Sequence, residues 1–269
     1  MPTINSVCKV LVLTVTAIAF AFLTSNRLQA GCQTTSKAQD TQVSTGTSQL
    51  TDLDRLISQG DRSINKQDYT DAEKRLKTGL QRAQNLHENF MTARFMNRLA
   101  KVCACTGRYR EALDYLNRTL LLLEHLPNYE VPLAMTYYDQ GLLLDNLSRH
   151  DEAITQLIRS LQVYHSKNDP IGEIMCLASL GFIYAYLGQQ DKAQDAFQHG
   201  WDLGNTLKSG DQIALDSMAS CEDGLANFAA GSGRYDKALD YLTRARDDYR
   251  AANDQQNLGR ILNILGGFY

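Results

Sequence analysis

The sequence repeats itself at intervals of about forty residues, and this period leaves the chain very few possible folds. An alanine recurs at spacings of 40, 41, 40 and 45 residues, at Ala72, Ala112, Ala153, Ala193 and Ala238. A small residue stands twelve positions before each alanine, at Gly60, Ala100, Gly141, Gly181 and Ala226, and Gly266 follows Ala226 by another 40. A single unit of this size cannot bury its own apolar face, so the period predicts a stack of similar units.

Between these landmarks the apolar residues have the spacing of an α-helix. Leu113, Leu116, Leu120 and Leu123 fall at i, i+3, i+7 and i+10, which places them on one helix face. We therefore predict five antiparallel helix pairs followed by a single helix. The predicted ranges are 52–66 with 69–86, 90–106 with 109–125, 130–147 with 150–167, 170–187 with 190–207, 211–230 with 235–252, and 255–269 alone.

Two local patterns refine these boundaries. Gly107, Gly188 and Gly233 are predicted to end helices, because a turn with positive φ suits glycine. Asp169 and Pro170 are predicted to begin a helix, as its N-cap and first residue.

The fifth repeat carries five extra residues. We assign about two of them to the loop near residues 209–210 and three to the helix over 211–230.

The composition is that of a globular chain. Hydrophobic residues make up 43% of the sequence and charged residues 21%, with only 4 prolines. The net charge of −3 gives no electrostatic reason to expect nucleic acid as a partner. The composition therefore agrees with a helical body and excludes a strongly basic nucleic-acid binder.

The repeat resembles the tetratricopeptide repeat family. The best match is the run Leu177-x-x-Leu180-Gly181-x-x-Tyr184, followed by Ala193 and Phe197. The resemblance covers residues 51–269 and implies an all-α fold, a right-handed α-solenoid of five helix pairs and one unpaired helix. The period of about 40 exceeds the 34 residues of the common repeat, so the chain resembles the long-repeat variety.

The resemblance also implies a function. Tetratricopeptide arrays bind segments of other proteins along the first helices of their repeats and perform no catalysis. Transferring the groove positions of the family predicts a lining made of Arg94, Asn97, Arg98, Lys101, Tyr138, Leu142, Asp145, Asn146, Phe182, Tyr186, Asp223, Asn227, Arg260 and Asn263. Arg94, Asn97, Arg98 and Lys101 share one helix face, which favours an acidic or carboxylate-bearing segment.

No motif for catalysis, metal binding or cofactor binding stands out. The five histidines form no metal-ligand spacing, and the glycines lie at repeat landmarks instead of in a phosphate-binding loop. We expect no enzyme activity, no metal and no cofactor. Cys103, Cys105, Cys176 and Cys221 are interpreted as buried thiols, with a disulfide between neighbouring repeats as the alternative in an exported protein.

The first residues are typical of an export signal. Lys9 precedes an apolar stretch from Val10 to Leu23, which spans only about 21 Å as a helix, short of the roughly 30 Å hydrocarbon core of a bilayer. Residues 1–31 are therefore interpreted as a signal peptide cleaved near Ala30, or as an N-terminal membrane anchor. The alternative is a lipoprotein signal with Cys32 as the lipidated residue. We expect a protein of the cell envelope, periplasmic or membrane-anchored, or a secreted protein.

Residues 32–50 are predicted to form a flexible polar linker before the repeat domain of residues 51–269. They are rich in glutamine, serine and threonine, and they bury too little apolar area to offset the entropy of ordering. The linker would connect the export segment to the folded body.

The leading hypothesis is an exported scaffold or adaptor that binds another protein. One alternative is the regulatory arm of a larger enzyme, such as a caspase-like protease with tetratricopeptide repeats, that continues beyond residue 269. It is favoured by the last helix, which would expose apolar residues that could dock another chain or a missing region. These residues are Ile261, Leu262, Ile264, Leu265, Phe268 and Tyr269. A further alternative is an envelope assembly lipoprotein, which depends on Cys32.

Overall fold

The structure, a computed structural model, describes residues 43–207 and 210–267, with side chains from residue 49 onward. This part of the chain contains eleven α-helices and no strand. The helices are α1 (Val43–Asn65), α2 (Tyr69–Asn85), α3 (Asn89–Cys105), α4 (Tyr109–Leu123), α5 (Glu130–Asn146), α6 (His150–Ser166), α7 (Pro170–Tyr186), α8 (Gln190–Thr206), α9 (Gln212–Gly231), α10 (Tyr235–Ala251) and α11 (Gln255–Gly266). The all-α fold of tetratricopeptide-like helix pairs is confirmed.

The predicted helix boundaries are accurate over most of the chain. Helices α2 to α10 begin and end within two residues of the positions inferred from the forty-residue period. The extra length of the fifth repeat also lies where it was predicted, because α9 has 20 residues whereas α7 has 17. Asp169 caps α7 by accepting a hydrogen bond from the backbone N–H of Gly172 at 3.1 Å, and Pro170 follows it in the first turn.

The first helix is longer than the sequence indicated. It begins at Val43, so residues 43–50 are helical although they were predicted to belong to the flexible linker. A helix satisfies its backbone hydrogen bonds internally, so a segment rich in serine, threonine and glutamine can continue one. Residues 1–31, predicted to be the export segment, and Cys32 lie outside the described residues.

The chain divides after Leu143 into two compact units. In the first unit, the described core includes Leu53, Ile57, Leu76, Phe95 and Leu99, each at most 2% exposed. The landmark Gly60 lies where two helices of this unit approach closely. A Cβ atom added to Gly60 would lie 2.7 Å from Cδ2 of Leu76, so a larger residue would require the Leu76 side chain or the helices to shift.

The second unit is built around Phe197 in the same way. Its ring lies against two glycines, and an added Cβ atom would approach it to 2.6 Å at Gly181 and 2.5 Å at Gly224. Phe182 packs on it edge-to-face with 4.9 Å between ring centroids. The ring of Phe197 therefore occupies the space that the missing side chains of α7 and α9 leave between the helices.

The turns between helices use the left-handed backbone conformation. Gly107, Gly188 and Gly233 have φ between +72° and +76°, as expected for glycines that end helices. Among the residues that the structure describes, six others adopt positive φ without being glycine, including Gln67 and His87. The positions 67, 87 and 107 are 20 residues apart, so the chain reverses direction with the same type of turn after every helix of this region.

The last helix is only partly exposed, which corrects the sequence prediction. Ile261 is fully buried and Leu265 is 6% exposed, because they join Leu258 in the core of the second unit. An amphipathic helix at the end of an array can still bury one face against the preceding repeat. Leu262 remains 46% exposed on the other face. The prediction of exposure is therefore correct for Leu262 and wrong for Ile261 and Leu265, Ile264 is half-buried, and Phe268 and Tyr269 lie outside the described residues.

Candidate partner-binding surface

The first helices of the repeats in the first unit are joined by polar side chains. We call this set the charged ladder; it comprises Asp54 and Asp61 of α1, Arg94, Asn97, Arg98 and Lys101 of α3, and Thr136 and Asp139 of α5. Arg94 forms an ion pair with Asp54, and the Nε atom of Arg98 lies 3.5 Å from Oδ1 of Asp61. Two of the four α3 residues predicted to line the groove, Arg94 and Arg98, therefore pair with carboxylates of α1.

The ladder also links α3 to α5. The side-chain amide of Asn97 donates a hydrogen bond to Oγ1 of Thr136 at 3.1 Å. Asp139 lies near Arg98 and Lys101, both of which favour the ionised form of its carboxyl group. Polar contacts on both sides of α3 thus hold α1, α3 and α5 in one register.

Burial alters the ionisation of the ladder. Arg98 and Lys101 are only 6% and 5% exposed, so they do not form a solvated basic face. Burial lowers the pKa of Lys101 to about 8, against the opposing influence of Asp139, and raises the pKa of Asp139 to about 7, against that of Lys101. The ladder therefore contains three cations (Arg94, Arg98 and Lys101) and three carboxyl groups (Asp54, Asp61 and Asp139). Among these carboxyl groups, Asp139 takes up a proton near neutral pH.

An aromatic pair that the sequence analysis did not single out extends the ladder. The rings of Phe90 and Tyr129 stack with 4.2 Å between centroids, and the guanidinium of Arg94 lies 5.8 Å from the centroid of Phe90. Both aromatic residues are half-buried. Neither residue occupies a repeat position that was transferred from the family. The repeat pattern therefore gave no signal for them.

The second unit carries a separate group of predicted residues around an exposed tyrosine. Tyr186 is 44% exposed, and its ring centroid lies 4.8 Å from that of His150. Nδ1 of His150 lies 2.8 Å from Oδ1 of Asp145. Burial raises the pKa of Asp145, and the hydrogen bond and charge of His150 oppose that shift. Asp145 and Tyr186 were predicted, whereas His150 was missed because it is the first residue of a second helix.

Further along the second unit, Arg260 of α11 forms an ion pair with Asp223 of α9 over 2.9 Å. Asp223 is fully buried, and the Arg260 side chain is 16% exposed. Tyr249 lies beside this pair and is within 3.2 Å of the Ser220 hydroxyl. The two predicted residues therefore connect the last helix to the body of the unit and are largely withdrawn from solvent.

The predicted lining falls into three classes of exposure. Buried members that cannot contact a partner without rearrangement are Arg98, Lys101, Tyr138, Leu142, Asp145 and Asp223. Half-buried members are Arg94, Asn97, Asn146, Phe182 and Arg260, and exposed members are Tyr186, Asn227 and Asn263. Side chains of successive repeats fill much of this face because they reach across to one another.

The described cysteines do not form disulfides. Cys103, Cys105, Cys176 and Cys221 are free, which removes the alternative of a bridge between neighbouring repeats for these four. Burial raises the pKa of the Cys103 thiol to about 11 and that of Cys176 to about 12. A thiol is unreactive while it is protonated, so these side chains act as small apolar core residues.

Among the described histidine, cysteine, aspartate and glutamate side chains, no group of three is placed to hold a metal ion. None of the described helices combines the length and the apolar character that crossing a membrane requires.

Comparison with known proteins finds a similarity to the tetratricopeptide repeat family in part of this chain. A family model described as tetratricopeptide repeat matches residues 64–124, which run from the end of α1 to the end of α4. The histone-binding protein N1/N2 of Xenopus laevis is 31% identical over 94 residues, which are 35% of this chain and 16% of that protein. The chain thus matches about a sixth of the length of this relative.

Solved structures share the fold. The crystal structure of BtubC (BKLC) from P. vanneervenii is 18% identical with a TM-score of 0.63, over 81% of this chain and 93% of that one. A Rap protein in complex with Competence and Sporulation Factor is 14% identical with a TM-score of 0.64, over 77% of this chain and 56% of that one. Identities this low establish a common helical fold and nothing more.

Proposed function

We propose that the chain is a non-catalytic scaffold of the long-repeat tetratricopeptide variety, which binds a segment of another protein on the first helices of its repeats. The observation that carries the proposal is the charged ladder, which collects polar side chains of α1, α3 and α5 on adjoining helices. The solved structure of a related fold bound to Competence and Sporulation Factor supports a protein or peptide as the partner.

The partner segment is proposed to be acidic, for a reason that depends on Asp139. When the carboxyl group of Asp139 is ionised, the charges of the ladder balance. When it takes up a proton, near its pKa of about 7, the three cations exceed the two remaining carboxylates. A carboxylate of the partner would then restore the balance, and the half-buried guanidinium of Arg94 is placed to meet it.

Replacing Arg94 by glutamate tests this proposal. Peptides selected from a random displayed library on the full chain at about pH 6 should be enriched in aspartate and glutamate. Their affinity should fall about tenfold or more in the Arg94→Glu variant, because the loss of one charge-assisted hydrogen bond and the added like charge both oppose binding. Fluorescence anisotropy titrations with labelled peptides would measure the change.

The matched control is Arg110→Glu, which makes the same change of charge on the exposed surface of α4. Its affinity for the selected peptides should stay near that of the wild type. Selected peptides without an excess of acidic residues would contradict an acidic partner. Equal affinity for both variants would show that the segment does not bind at the ladder.

We further propose that the chain is exported to the cell envelope or outside the cell, on the strength of the apolar stretch after Lys9. We expect the intact mass of the native protein to lack about the first thirty residues, or to include lipid attached to Cys32. A mass that still contains Met1 and carries no lipid would contradict both cleavage and lipidation. A much larger mass would favour the alternative of a recognition arm attached to an enzyme.

A further inference from the structure

Within the charged ladder, the ion pair between Arg94 and Asp54 differs from that between Arg98 and Asp61. The side chain of Asp54 is 55% exposed, whereas that of Arg94 is 16% exposed, so the carboxylate lies nearer the solvent than the guanidinium it binds. In the other pair, Asp61 is 19% exposed and Arg98 is 8% exposed. Of these two carboxylates, that of Asp54 therefore keeps much more contact with water while it is paired.

Arg94 is held in place by contacts that do not involve Asp54. Its guanidinium lies 5.8 Å from the ring centroid of Phe90, and its Nη1 atom lies 3.3 Å from the sulfur of Met91. Both neighbours precede Arg94 on α3, by four and by three residues, so they lie on the same side of the helix. Met91 is itself buried in the core of the first unit. The guanidinium therefore keeps its position when the carboxylate of Asp54 leaves.

The helix that carries Asp54 is likewise held by other residues. Leu53 and Ile57 of α1 are buried in the core of the first unit, so the position of α1 does not depend on the ion pair. Asp54 can leave Arg94 by a change of side-chain rotamer, while the backbone of α1 stays where it is. An exposed ion pair contributes little to stability, because water solvates a carboxylate almost as well. Exchange of Asp54 for another carboxylate is therefore cheap.

The contact with Asp54 does not use the full binding capacity of the guanidinium. Nη1 of Arg94 donates a hydrogen bond to Oδ1 of Asp54. Among the residues that the structure describes, the buried Nε atom of Arg94 has no hydrogen-bond partner. A guanidinium can bind both oxygens of a carboxylate through two parallel N–H groups. A carboxylate that approaches in this way would bind Arg94 more strongly than Asp54 does.

We infer that Asp54 is a built-in competitor of the partner segment: it occupies Arg94 in the unbound protein, and a carboxylate of the segment displaces it. The inference rests on the proposed function, because it concerns the same guanidinium. Arg94 is paired with a carboxylate before and after binding, so association exchanges one ion pair for another. Asp54 thereby sets a threshold, since a segment whose carboxylate binds Arg94 no better than Asp54 gains nothing from this contact.

Asp54→Asn tests the inference, because it removes the charge and nearly keeps the size of the side chain. The affinity for the acidic peptides selected on the full chain should rise at least about threefold in anisotropy titrations. The matched control is Asp52→Asn, which removes the same charge from an exposed residue of α1 that pairs with Arg55, and it should leave the affinity near that of the wild type. Asp54→Glu restores the carboxylate and should bring the affinity back toward the wild-type value.

A double variant shows whether the gain passes through Arg94. In an Arg94→Met background, Asp54→Asn should no longer raise the affinity, because no guanidinium is left to compete for. The inference is overturned if Asp54→Asn leaves the affinity unchanged or lowers it. It is also overturned if Asp52→Asn gives the same gain or if the gain persists beside Arg94→Met, since general charge repulsion then explains it. Weaker binding by Arg94→Glu in either case would leave the proposed function standing, whereas unchanged binding by Arg94→Glu would remove both.

Discussion

Asp223→Ala should destabilise the second unit by about 3–5 kcal/mol, because it leaves the guanidinium of Arg260 without its counter-charge in a site of low solvent access. Asp223 is fully buried, so water does not replace the lost carboxylate without local unfolding. Trp201, the single tryptophan of the chain, lies in this unit and reports its unfolding by fluorescence in guanidinium chloride.

The double variant Asp223→Ala with Arg260→Met separates loss of packing from loss of charge compensation. Removing both charges should recover a large part of the stability that the single variant loses, since an apolar pair in place of a buried ion pair is often neutral. Asp195→Ala, which removes an exposed carboxylate from α8, is the control and should change the stability by less than about 0.5 kcal/mol. A single variant within about 1 kcal/mol of the wild type would contradict the prediction.

The stability of the second unit should fall as the pH rises from about 5.5 to 7.5, by about 2 kcal/mol. Glu222 is 2% exposed, and it accepts a hydrogen bond from the indole N–H of Trp201 at 3.0 Å. Burial raises its pKa to about 8, and the nearby carboxyl groups of Asp248 and Asp240 add to the shift, whereas Trp201 and Arg244 oppose it. The folded state therefore holds a proton that the unfolded state releases, and that advantage disappears as the pH rises to about 8.

Glu222→Gln should remove much of this dependence, because an amide keeps an acceptor for the indole N–H and does not ionise. The variant should be more stable than the wild type at about pH 8 and similar to it at about pH 5. Asp216 and Asp248 also have raised pKa values, so a smaller slope should remain. Asp195→Asn is the matched control on an exposed site. An unchanged slope in Glu222→Gln would show that Glu222 is already ionised in the folded protein.

The helices could be predicted closely because their signal is periodic and local. The landmark Gly181 and its partner Phe197 stand sixteen residues apart in the same repeat, and both positions recur along the chain. The start of α1 was missed because residues 43–50 carry no apolar stripe. A helix there depends on backbone hydrogen bonds, which the apolar pattern does not record.

The candidate site was predicted only in part, because its side chains are occupied by neighbours one repeat away. Arg94 and Asp54 stand forty residues apart, at the same position of successive repeats, and opposite charges at such a spacing predict the pair. Arg98 and Lys101 are buried because three helices meet around them. The sequence of one helix does not show this. Whether the side chain at a given repeat position is exposed or lies in an interface depends on the residues at the equivalent position of the preceding and following repeats.

The turns that recur at positions 67, 87 and 107 have a consequence for how the chain acquires its structure. Each turn closes a hairpin of two neighbouring helices, and the ladder pairs, such as Asp54 with Arg94, join residues no more than one repeat apart. The loops to be closed are short, so little chain entropy is lost before packing begins to compensate. Such a topology favours rapid folding that starts at any hairpin and spreads to its neighbours.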